Sequence, residues 1–317
     1  MPNYQGVWSL STQFQNASGW PDPPLTGDIA IFGGSSNTIP LDYMYISSTG
    51  NSSTWGTLGT NHIYAAGGGN STRGIIWGGV TAGQTITYTT TATQGSYGDF
   101  GDTVASTTYY NSNAHSSSTR SLFFGPNADA DSIEYVTIAS TGNASSFGNM
   151  FANRNYGAGT GSTTRAVIAG GYLPDSGVYS NTMDYVTIAS AGNSTDFGDL
   201  LNTSGGNSAC SSNTRALFAG GVISGGTRSN TIAYITIATT GNASDFGDLT
   251  TNNGNYNVGD WATSNLTRGL FFNDGNTAAD VQYVTIASTG NTASFGDLTN
   301  NPTANGFSFS NAHGGLS

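Results

Sequence analysis

Few side chains in this 317-residue chain could do acid–base, metal or nucleophilic chemistry. The candidates are three histidines, one cysteine and one glutamate, namely His62, His115, His313, Cys210 and Glu134. Hydrolysis of a glycan or lactone needs carboxylates or metal ligands that converge on one cleft. The histidines are scattered along the chain, and no histidine or aspartate lies near the cysteine, which is therefore expected to be a buried small apolar residue. The sequence predicts no catalytic residues, no metal and no cofactor, and therefore a protein that is not an enzyme.

The charged residues exclude several other classes of function. The chain has no lysine, seven arginines, and a formal net charge of -11. Binding to nucleic acid needs clustered lysine and arginine, so that class of partner is excluded. The sequence has no stretch of about 18 consecutive apolar residues, and its start lacks a basic segment followed by an apolar run. We therefore expect neither membrane insertion nor a secretory signal.

The composition allows two kinds of chain. The sequence contains 46 glycines and only 8% charged residues, which is compatible with low complexity or with many short strands and tight turns. Aromatic residues make up 11% of the chain, and disordered chains are poor in aromatics. The aromatic content favours a folded, strand-rich protein.

An internal repeat decides between these readings. Six segments share the order aromatic, apolar, Thr, Ile, Ala, and then Gly-Asn and Phe-Gly-Asp-Leu, with small departures. Each segment begins at a tyrosine, and these are Tyr43, Tyr88, Tyr135, Tyr185, Tyr234 and Tyr283. A second aromatic follows twelve residues later in every copy, at Trp55, Phe100, Phe147, Phe197, Phe246 and Phe295.

Each copy also has an upstream element of the form Thr-Arg followed by apolar residues and Gly-Gly. Its arginines are Arg73, Arg120, Arg165, Arg215 and Arg268, and Asp28 is assigned to this position in the first copy. From Asp28 to Arg268 the mean period is 48 residues, which is typical of one four-stranded blade of a β-propeller.

The strands and their closure can be predicted from the same pattern. In the fifth copy, Leu217–Ala219 is predicted as strand b, Ile232–Ile237 as strand c and Ser244–Leu249 as strand d, with strand a before the arginine. The C-terminal Ser-Asn-Ala-His at residues 310–313 repeats residues 112–115, so the last segment is read as a strand a that completes the first blade. We predict an all-β, six-bladed β-propeller of four-stranded antiparallel blades over residues 26–317, closed by pairing of the C-terminal strand with the N-terminal blade. Residues 1–25 lie outside the period and are predicted to form an N-terminal arm that docks on a partner or on another copy of the chain, with a cap packed on its own propeller as the alternative.

These residues carry two family resemblances. The order Arg, Gly-Gly, Tyr and aromatic over about 48 residues resembles the kelch-type propeller blade, although the distance from tyrosine to aromatic is longer and Phe replaces Trp in five copies. Residues 214–249 are more similar to the repeats of virion structural proteins of the tail-fibre type in marine tailed phages, especially cyanophages. This resemblance covers nearly the whole chain. It implies a non-enzymatic virion protein, assembled in the host cytoplasm, then extracellular, and present in multiple copies.

The repeat positions are expected to be structural. The five arginines could form an anion-binding ring, but a residue required once per blade at a strand start favours a structural role. We expect each arginine to bond backbone carbonyls and a carboxylate of the next blade, with Asp102, Asp199, Asp248 and Asp297 as partners. The tyrosines and their aromatic partners are predicted to pack the core, and the Phe-Gly pair to let a neighbouring backbone approach closely.

Binding residues are predicted where the copies differ in length. The connection between strands b and c is longer in copies four and five, and it shares one face of the propeller with the connection between strand d and the next strand a. Loops on a rigid scaffold commonly carry binding surfaces, and exposed Tyr and Arg are favoured contact residues. The candidates are Tyr172, Asp175, Tyr179, Arg228, Arg154, Tyr156, Tyr256 and Trp261. The alternative is neutral variation of surface loops.

Three functions follow from these features. The first is a virion component, such as a tail fibre, tail tip or other surface protein, that is held to other virion proteins through residues 1–25 and contacts a host surface receptor through the variable loops. The second is a purely architectural capsid or fibre subunit. The third is a propeller enzyme that acts on glycans, which the missing constellation makes the weakest of the three.

Overall fold

A computed structural model describes residues 28–33, 40–59, 62–79, 82–94, 97–104, 113–125, 131–253, 261–272, 279–300 and 306–316. The protein is all-β, and six four-stranded antiparallel sheets form the blades of a propeller, as the repeat predicted. In the described part of the chain no helix is long and apolar enough to cross a membrane.

Each blade has the strand order a, b, c, d. Blades 1 to 3 consist of β26 (Phe307–Ser310), β1 (Ile29–Gly33), β2 (Leu41–Tyr45) and β3 (Ser53–Gly56); β4 (Ala66–Gly69), β5 (Arg73–Trp77), β6 (Thr85–Thr90) and β7 (Tyr97–Asp102); and β8 (Asn113–Ser116), β9 (Arg120–Phe124), β10 (Ser132–Thr137) and β11 (Ser145–Asn149). Blades 4 to 6 consist of β12 (Ala158–Gly161), β13 (Arg165–Ala169), β16 (Thr182–Thr187) and β17 (Thr195–Asp199); β18 (Ser204–Ser211), β19 (Arg215–Ile223), β20 (Ser229–Thr236) and β21 (Ser244–Asn253); and β22 (Ala262–Ser264), β23 (Arg268–Phe272), β24 (Asp280–Thr285) and β25 (Ala293–Asp297). A short hairpin, β14 (Tyr172–Leu173) and β15 (Val178–Tyr179), projects between strands b and c of blade 4.

The a strands lie at the centre of the molecule. Strands a of successive blades contact each other around a closed ring, from β26 through β4, β8, β12, β18 and β22. They consist largely of Gly, Ala and Ser, and these small side chains allow six backbones to converge on one axis. The larger apolar groups fall on strands b and c, where they fill the space between blades.

Six apolar clusters fill the boundaries between neighbouring blades. The cluster between blades 4 and 5, for example, joins Val167 and Phe197 of one blade to Phe218 and Ile235 of the next. The strand-d aromatics are buried, and each meets the tyrosine of its own blade edge to face at 5.6–6.1 Å between ring centroids. The predicted core role of the aromatic pair is confirmed for the Phe and Trp members, while the tyrosines stay half-buried. Cys210 is also buried in an apolar cluster, as predicted.

A strand-to-turn contact repeats between blades. In five of the blades the glycine after the strand-d aromatic lies against the glycine turn of the next blade. A Cβ on Gly247, for example, would come within 2.4 Å of the carbonyl oxygen of Gly290. The turn glycine donates its N–H to the aromatic residue's carbonyl, as Gly290 does to Phe246 at 2.7 Å. The asparagine that follows accepts the N–H of the strand-d aspartate, as Asn291 does from Asp248 at 3.0 Å. The predicted close backbone approach at Phe-Gly is therefore confirmed.

The C-terminal strand closes the ring as predicted. Strand β26 pairs antiparallel with β1, with Ser310 opposite Ala30. The predicted register is wrong, however. The two Ser-Asn-Ala-His segments align Ser310 with Ser112, whereas in the structure Ser310 is equivalent to Ser116, which pairs with Ser121. The alignment is therefore shifted by four residues. His115 and His313 are therefore not equivalent, and His313 lies beyond the strand, next to a single 3-10 turn at Gly314–Leu316.

Blade 1 also differs from the expected alignment at strand b. The Asp28 carbonyl accepts the Ile46 N–H as the Thr119 carbonyl accepts that of Ile138, which makes Ile29 the residue at the arginine position. The sequence pattern therefore places the arginine position of blade 1 one residue too early, at Asp28 instead of Ile29. Ile29 is buried, and Tyr97 of blade 2 packs into the same apolar cluster, so that this one boundary is held by apolar contacts in place of an arginine.

Candidate functional site

The repeat arginines join neighbouring blades on the face that carries the a–b and c–d turns. In the turn before each one, a serine or asparagine side chain accepts backbone N–H groups, as Ser212 does from Arg215 at 3.1 Å, and this fixes the start of strand b. The guanidinium then lies over the tyrosine of its own blade, at 4.5 Å for Arg215 and Tyr234, and donates to a carbonyl of the next blade, that of Ile286, at 2.8 Å. All five arginines have this arrangement.

The structural role expected for these arginines is confirmed, but their predicted carboxylate partner is wrong. No ion pair joins them to Asp102, Asp199, Asp248 or Asp297 among the described residues. The backbone N–H groups of these aspartates are instead bound by the asparagine of the next turn. The arginines interact with an aromatic face and a backbone carbonyl, and this satisfies a cation without a second charge.

A ring of buried acceptors lies near the other face, and sequence reasoning missed its role. The residue before each repeat tyrosine follows a β-bulge in strand c and is polar and buried in five blades, namely Asp42, Thr87, Glu134, Asp184 and Gln282.

Four of these side chains accept a backbone N–H of the preceding blade, four or five residues after its strand-d aromatic. Glu134 accepts the N–H of Val104 at 2.8 Å, Asp184 that of Phe151 at 3.2 Å, and Gln282 that of Thr250 at 2.9 Å. Asp42 accepts the N–H of Asn300 at 2.8 Å. The recurrence of an acidic or amide side chain before the tyrosine was the sequence signal for this contact.

Arg154 does not lie on the surface, so its prediction as an exposed contact residue is wrong. Its side chain is 2% exposed, and its guanidinium pairs with the Asp184 carboxylate at 2.5 Å. It also donates to the carbonyls of Gly170 and Thr182, at 3.1 and 3.0 Å. Burial lowers the pKa of the guanidinium and the Asp184 charge raises it. Arg154 is a structural cation that fixes the b–c connection of blade 4.

Trp261 is a second correction. It is 2% exposed and packs in the cluster between blades 6 and 1, with its ring centroid 6.3 Å from that of Phe272. An aromatic side chain next to a strand a is pulled into the boundary between blades, because that space is closed to water and needs large apolar groups. Tyr256 lies outside the described residues.

Five predicted residues lie together on the long-loop face of blades 4 and 5. Tyr172 and Tyr179 are paired across the hairpin, half-buried and edge to face at 5.6 Å, with Asp175 exposed at its turn. Tyr156 is half-buried with a left-handed backbone, at φ 57°, and its carbonyl accepts the N–H of Gly206. Arg228 is exposed beside the turn between β19 and β20. We call this set the long-loop surface.

The long-loop surface is held rigidly. Ser204 at the start of β18 donates its N–H to the carbonyl of Ser180 at 3.0 Å, and its carbonyl accepts the N–H of Gly171 at 2.7 Å. The next residue, Gly205, leaves room for the Tyr179 ring, which would lie 2.9 Å from a Cβ there. The hairpin of blade 4 is thus docked on blade 5, so the two irregular connections form one continuous surface.

The central channel is narrow. Its cavity measures about 40 Å³ and is lined by strands a of all six blades. Residues 311–316 cross one end of it, where Gly314 and Gly315 contact Ser212 and Ser116 of blades 5 and 3. The rings of His115 and His313 face each other here, with their centroids 5.8 Å apart. Each ring donates a hydrogen bond to a backbone carbonyl of a neighbouring blade.

The channel histidines are held in the neutral form. Burial lowers the pKa of His313 to about 4, and burial together with the nearby His313 lowers that of His115 to about 3. Among the described residues no group of three or more His, Cys, Asp or Glu side chains could hold a metal ion. The two rings can each donate one hydrogen bond, and both bonds are used to tie strands together.

Comparison of the chain with known protein families and with curated proteins finds no match.

Proposed function

We propose that this protein is a non-enzymatic structural component of a phage virion, exposed as part of a tail fibre, tail tip or other surface, and that its long-loop surface contacts a host receptor. The virion assignment is supported by the resemblance of residues 214–249 to repeats of marine phage virion proteins. The receptor role is supported by one observation above all. The extended b–c connections of blades 4 and 5 combine into one fixed surface with two half-buried tyrosines and an exposed arginine.

The long-loop surface is preorganised, which favours binding. The blade 4 hairpin is tied to β18 by two backbone hydrogen bonds, so little conformational entropy is lost when a ligand is bound. Tyrosine and arginine give large contact area together with hydrogen bonding, and both are common among residues that dominate binding energy. The non-enzymatic assignment is supported by the narrow channel, whose histidines are committed to backbone carbonyls.

The test is binding of the purified, fluorescently labelled protein to host cells. A variant with the b–c connection of blade 4 shortened to the length found in blade 3 is expected to lose most of its binding. A matched control, Asn213→Tyr, alters an exposed turn on the opposite face and should leave binding unchanged. If the shortened variant binds host cells as well as the wild-type protein does, the long-loop surface is excluded as the receptor site.

The architectural alternative makes a different prediction. A capsid or fibre subunit without receptor affinity would not bind host cells, and its long-loop surface would be covered by other subunits in the assembled particle. Cryo-electron microscopy of the virion distinguishes the two, because receptor binding requires this face to point outward.

A further inference from the structure

The ring of a–b turns is interrupted in blade 1. In blades 2 to 6 one continuous turn joins strand a to strand b, as residues 212–214 join β18 to β19. In blade 1, strand a is β26 and strand b is β1, which come from opposite ends of the described chain. The chain therefore leaves β26 at Asn311 and enters β1 from Asp28, and the turn that would join the two strands is missing.

A cavity of about 450 Å³ lies at this interruption. It is bounded by Asp28, by residues 265–267 in the a–b turn of blade 6, and by Ala312 and Leu316 after β26. The Asp28 carboxylate is bound by the side-chain amide of Asn265 at 2.8 Å, and most of the exposed lining is apolar. The cavity opens on the face opposite the long-loop surface and is far larger than the central channel.

Leu266 makes the wall of this cavity apolar where the repeat is polar. The residue two positions before the repeat arginine is polar in the other blades, namely Ser71, Ser118, Thr163 and Asn213. Leu266 takes this place in blade 6 and is 45% exposed. The corresponding groove between blades 4 and 5 has a similar volume, about 370 Å³, but contains Thr163 and Asn213. An exposed leucine thus stands beside the missing turn, where a groove with complete turns has polar side chains.

The other side of the point where the chain enters the propeller is also less polar than the repeat. Tyr45 pairs with Ile29, the residue after Asp28, and is 39% exposed. The other five blades have threonine at this position, namely Thr90, Thr137, Thr187, Thr236 and Thr285. Two exposed large side chains therefore replace polar repeat residues around one point, which is the mark of a surface that is covered by another segment.

The segment that enters at this point has a composition that suits the cavity. Residues 1–27, which include the predicted N-terminal arm, lie outside the described residues. They contain four aromatic residues and a single charged residue, Asp22. Trp20 is the aromatic residue nearest to Asp28 along the chain, eight positions before it, so the connecting segment spans up to about 26 Å. That length reaches every part of a cavity that Asp28 itself lines.

We propose that residues 20–27 fold back onto their own propeller and that the Trp20 side chain fills this cavity, against Leu266 and Leu316. The contact is intramolecular, so Trp20 is present at a roughly millimolar effective concentration, which favours it over the same residue of a second copy. Prolines at 21, 23 and 24 restrict the free segment, so less conformational entropy is lost when it docks. The docked segment takes the place of the missing a–b turn.

Docking of Trp20 also fixes where the preceding residues leave the propeller. They emerge on the face of the a–b turns, opposite the long-loop surface. An arm held to other virion proteins needs this arrangement if the long-loop surface is to face outward. The inference does not depend on the proposed function, because docking is measured on the isolated protein.

The first experiment measures the surroundings of Trp20 by fluorine NMR of the full-length protein labelled with 5-fluorotryptophan, and Trp20→Phe identifies the signal. We expect the signal to lie away from its random-coil position in the wild type and to shift to that position in Leu266→Asn. Leu201→Asn, at a leucine that is 42% exposed on the opposite face, is the control and should leave the signal unchanged. A random-coil signal in the wild type, or a displaced signal that Leu266→Asn does not shift, would overturn the proposal.

Cross-linking distinguishes docking on the same chain from docking on a second copy. Gly19→Cys is combined with Ser47→Cys, because Ser47 is exposed and lines the cavity, while the native Cys210 is buried. Oxidation should give a cross-linked monomer on a non-reducing gel. Gly19→Cys with Ala238→Cys, the equivalent exposed position in blade 5, is the control and should remain open. A disulfide-linked dimer, no cross-link at Ser47→Cys, or equal cross-linking of both pairs contradicts docking on the same chain.

Discussion

Each repeat arginine connects two blades by contacting an aromatic ring in its own blade and a backbone carbonyl in the next blade. The guanidinium of Arg215 contacts the Tyr234 ring of its own blade and a backbone carbonyl, that of Ile286, in the next. The acceptor is backbone, so the contact tolerates variation in the residue that carries it. This explains how five blades keep the arginine while the surrounding side chains vary.

Replacing Arg215 by methionine tests this role. Methionine keeps the apolar stem over Tyr234 but loses both the cation–π contact and the charged hydrogen bond, so the free energy of unfolding should fall by about 2 kcal/mol. Urea denaturation followed by tryptophan fluorescence measures the change. Arg228→Met, at an exposed arginine outside the repeat position, is the control and should change stability by less than about 0.5 kcal/mol. Equal stability of Arg215→Met and wild type would show that the arginine contact does not stabilise the propeller.

The buried histidines differ from the repeat arginines, because burial favours their neutral form. His62 donates from Nδ1 to the Gly78 carbonyl at 2.6 Å, since a carbonyl can only accept, and its Nε2 lies 2.9 Å from the Thr87 hydroxyl. Burial lowers its pKa to about 4, against a partly compensating bond to Gly78. In the unfolded chain the pKa returns to 6.5. Between about pH 4 and 6.5 the unfolded state therefore binds a proton at His62 that the folded state does not bind.

The sign of the pH dependence follows from this difference. The contribution of His62 to stability is complete above pH 6.5 and is lost as the pH falls from 6.5 towards about 4, with a total of about 3 kcal/mol. His62→Asn keeps a donor for Gly78 without a titrating group, so its stability should fall less than that of wild type between pH 7 and 4.5. Urea titrations at both pH values measure the two losses. The same loss in both proteins would contradict a role for His62.

At the scale of strands and turns, the Phe-Gly and Gly-Asn segments act as a paired contact between blades. The strand-d glycine has a positive φ, 147° in Gly247, which other residues rarely adopt, and it also leaves room for the close approach of the neighbouring turn. The backbone bond from Gly290 and the side-chain bond from Asn291 then fix the position of the next c–d hairpin. This explains why the length of that hairpin never varies while the opposite connections do.

Gly247→Ala should be strongly destabilising for this reason. Its Cβ would lie 2.4 Å from the Gly290 oxygen, so the two blades must separate, at a cost of about 1–3 kcal/mol. The matched control is Gly59→Ala, where nothing lies within 4 Å of the added Cβ. Thermal unfolding by circular dichroism should show a lower melting temperature for the first variant alone. A melting temperature equal to that of Gly59→Ala would mean that the contact adjusts without cost.

The accuracy of the sequence predictions depends on how local each signal is. The strands and blades follow from short motifs repeated six times, and the structure confirms them. The position of Ile29 was misjudged because blade 1 lacks the arginine that marks the register elsewhere. The burial of Arg154 depends on Asp184, thirty residues away, and on the packing of the b–c connection, so that nothing in its own segment distinguished it from an exposed loop residue.

At the scale of the whole molecule, closure joins the two ends of the propeller. Strand β26 supplies the inner strand of blade 1, and the Asn311 side chain accepts the Ile29 N–H at 2.8 Å. The segment that follows places His313 against the Gly69 carbonyl at 2.8 Å and covers the channel. Residues 307–316 therefore have two roles: they complete the sheet of blade 1 and they cover one end of the channel.

Two truncations separate these tasks. Deletion of residues 307–317 exposes the edge of β1 and removes Phe307 and Phe309 from the cluster between blades 1 and 2, so we expect aggregation or loss of cooperative unfolding. Deletion of residues 312–317 keeps β26 and Asn311 and removes only the cover of the channel. This variant should remain monodisperse in size-exclusion chromatography, with a smaller loss of melting temperature. Similar aggregation of both would mean that the 3-10 turn contributes as much to closure as the strand, whereas a fully stable first variant would show that the blade does not need its fourth strand.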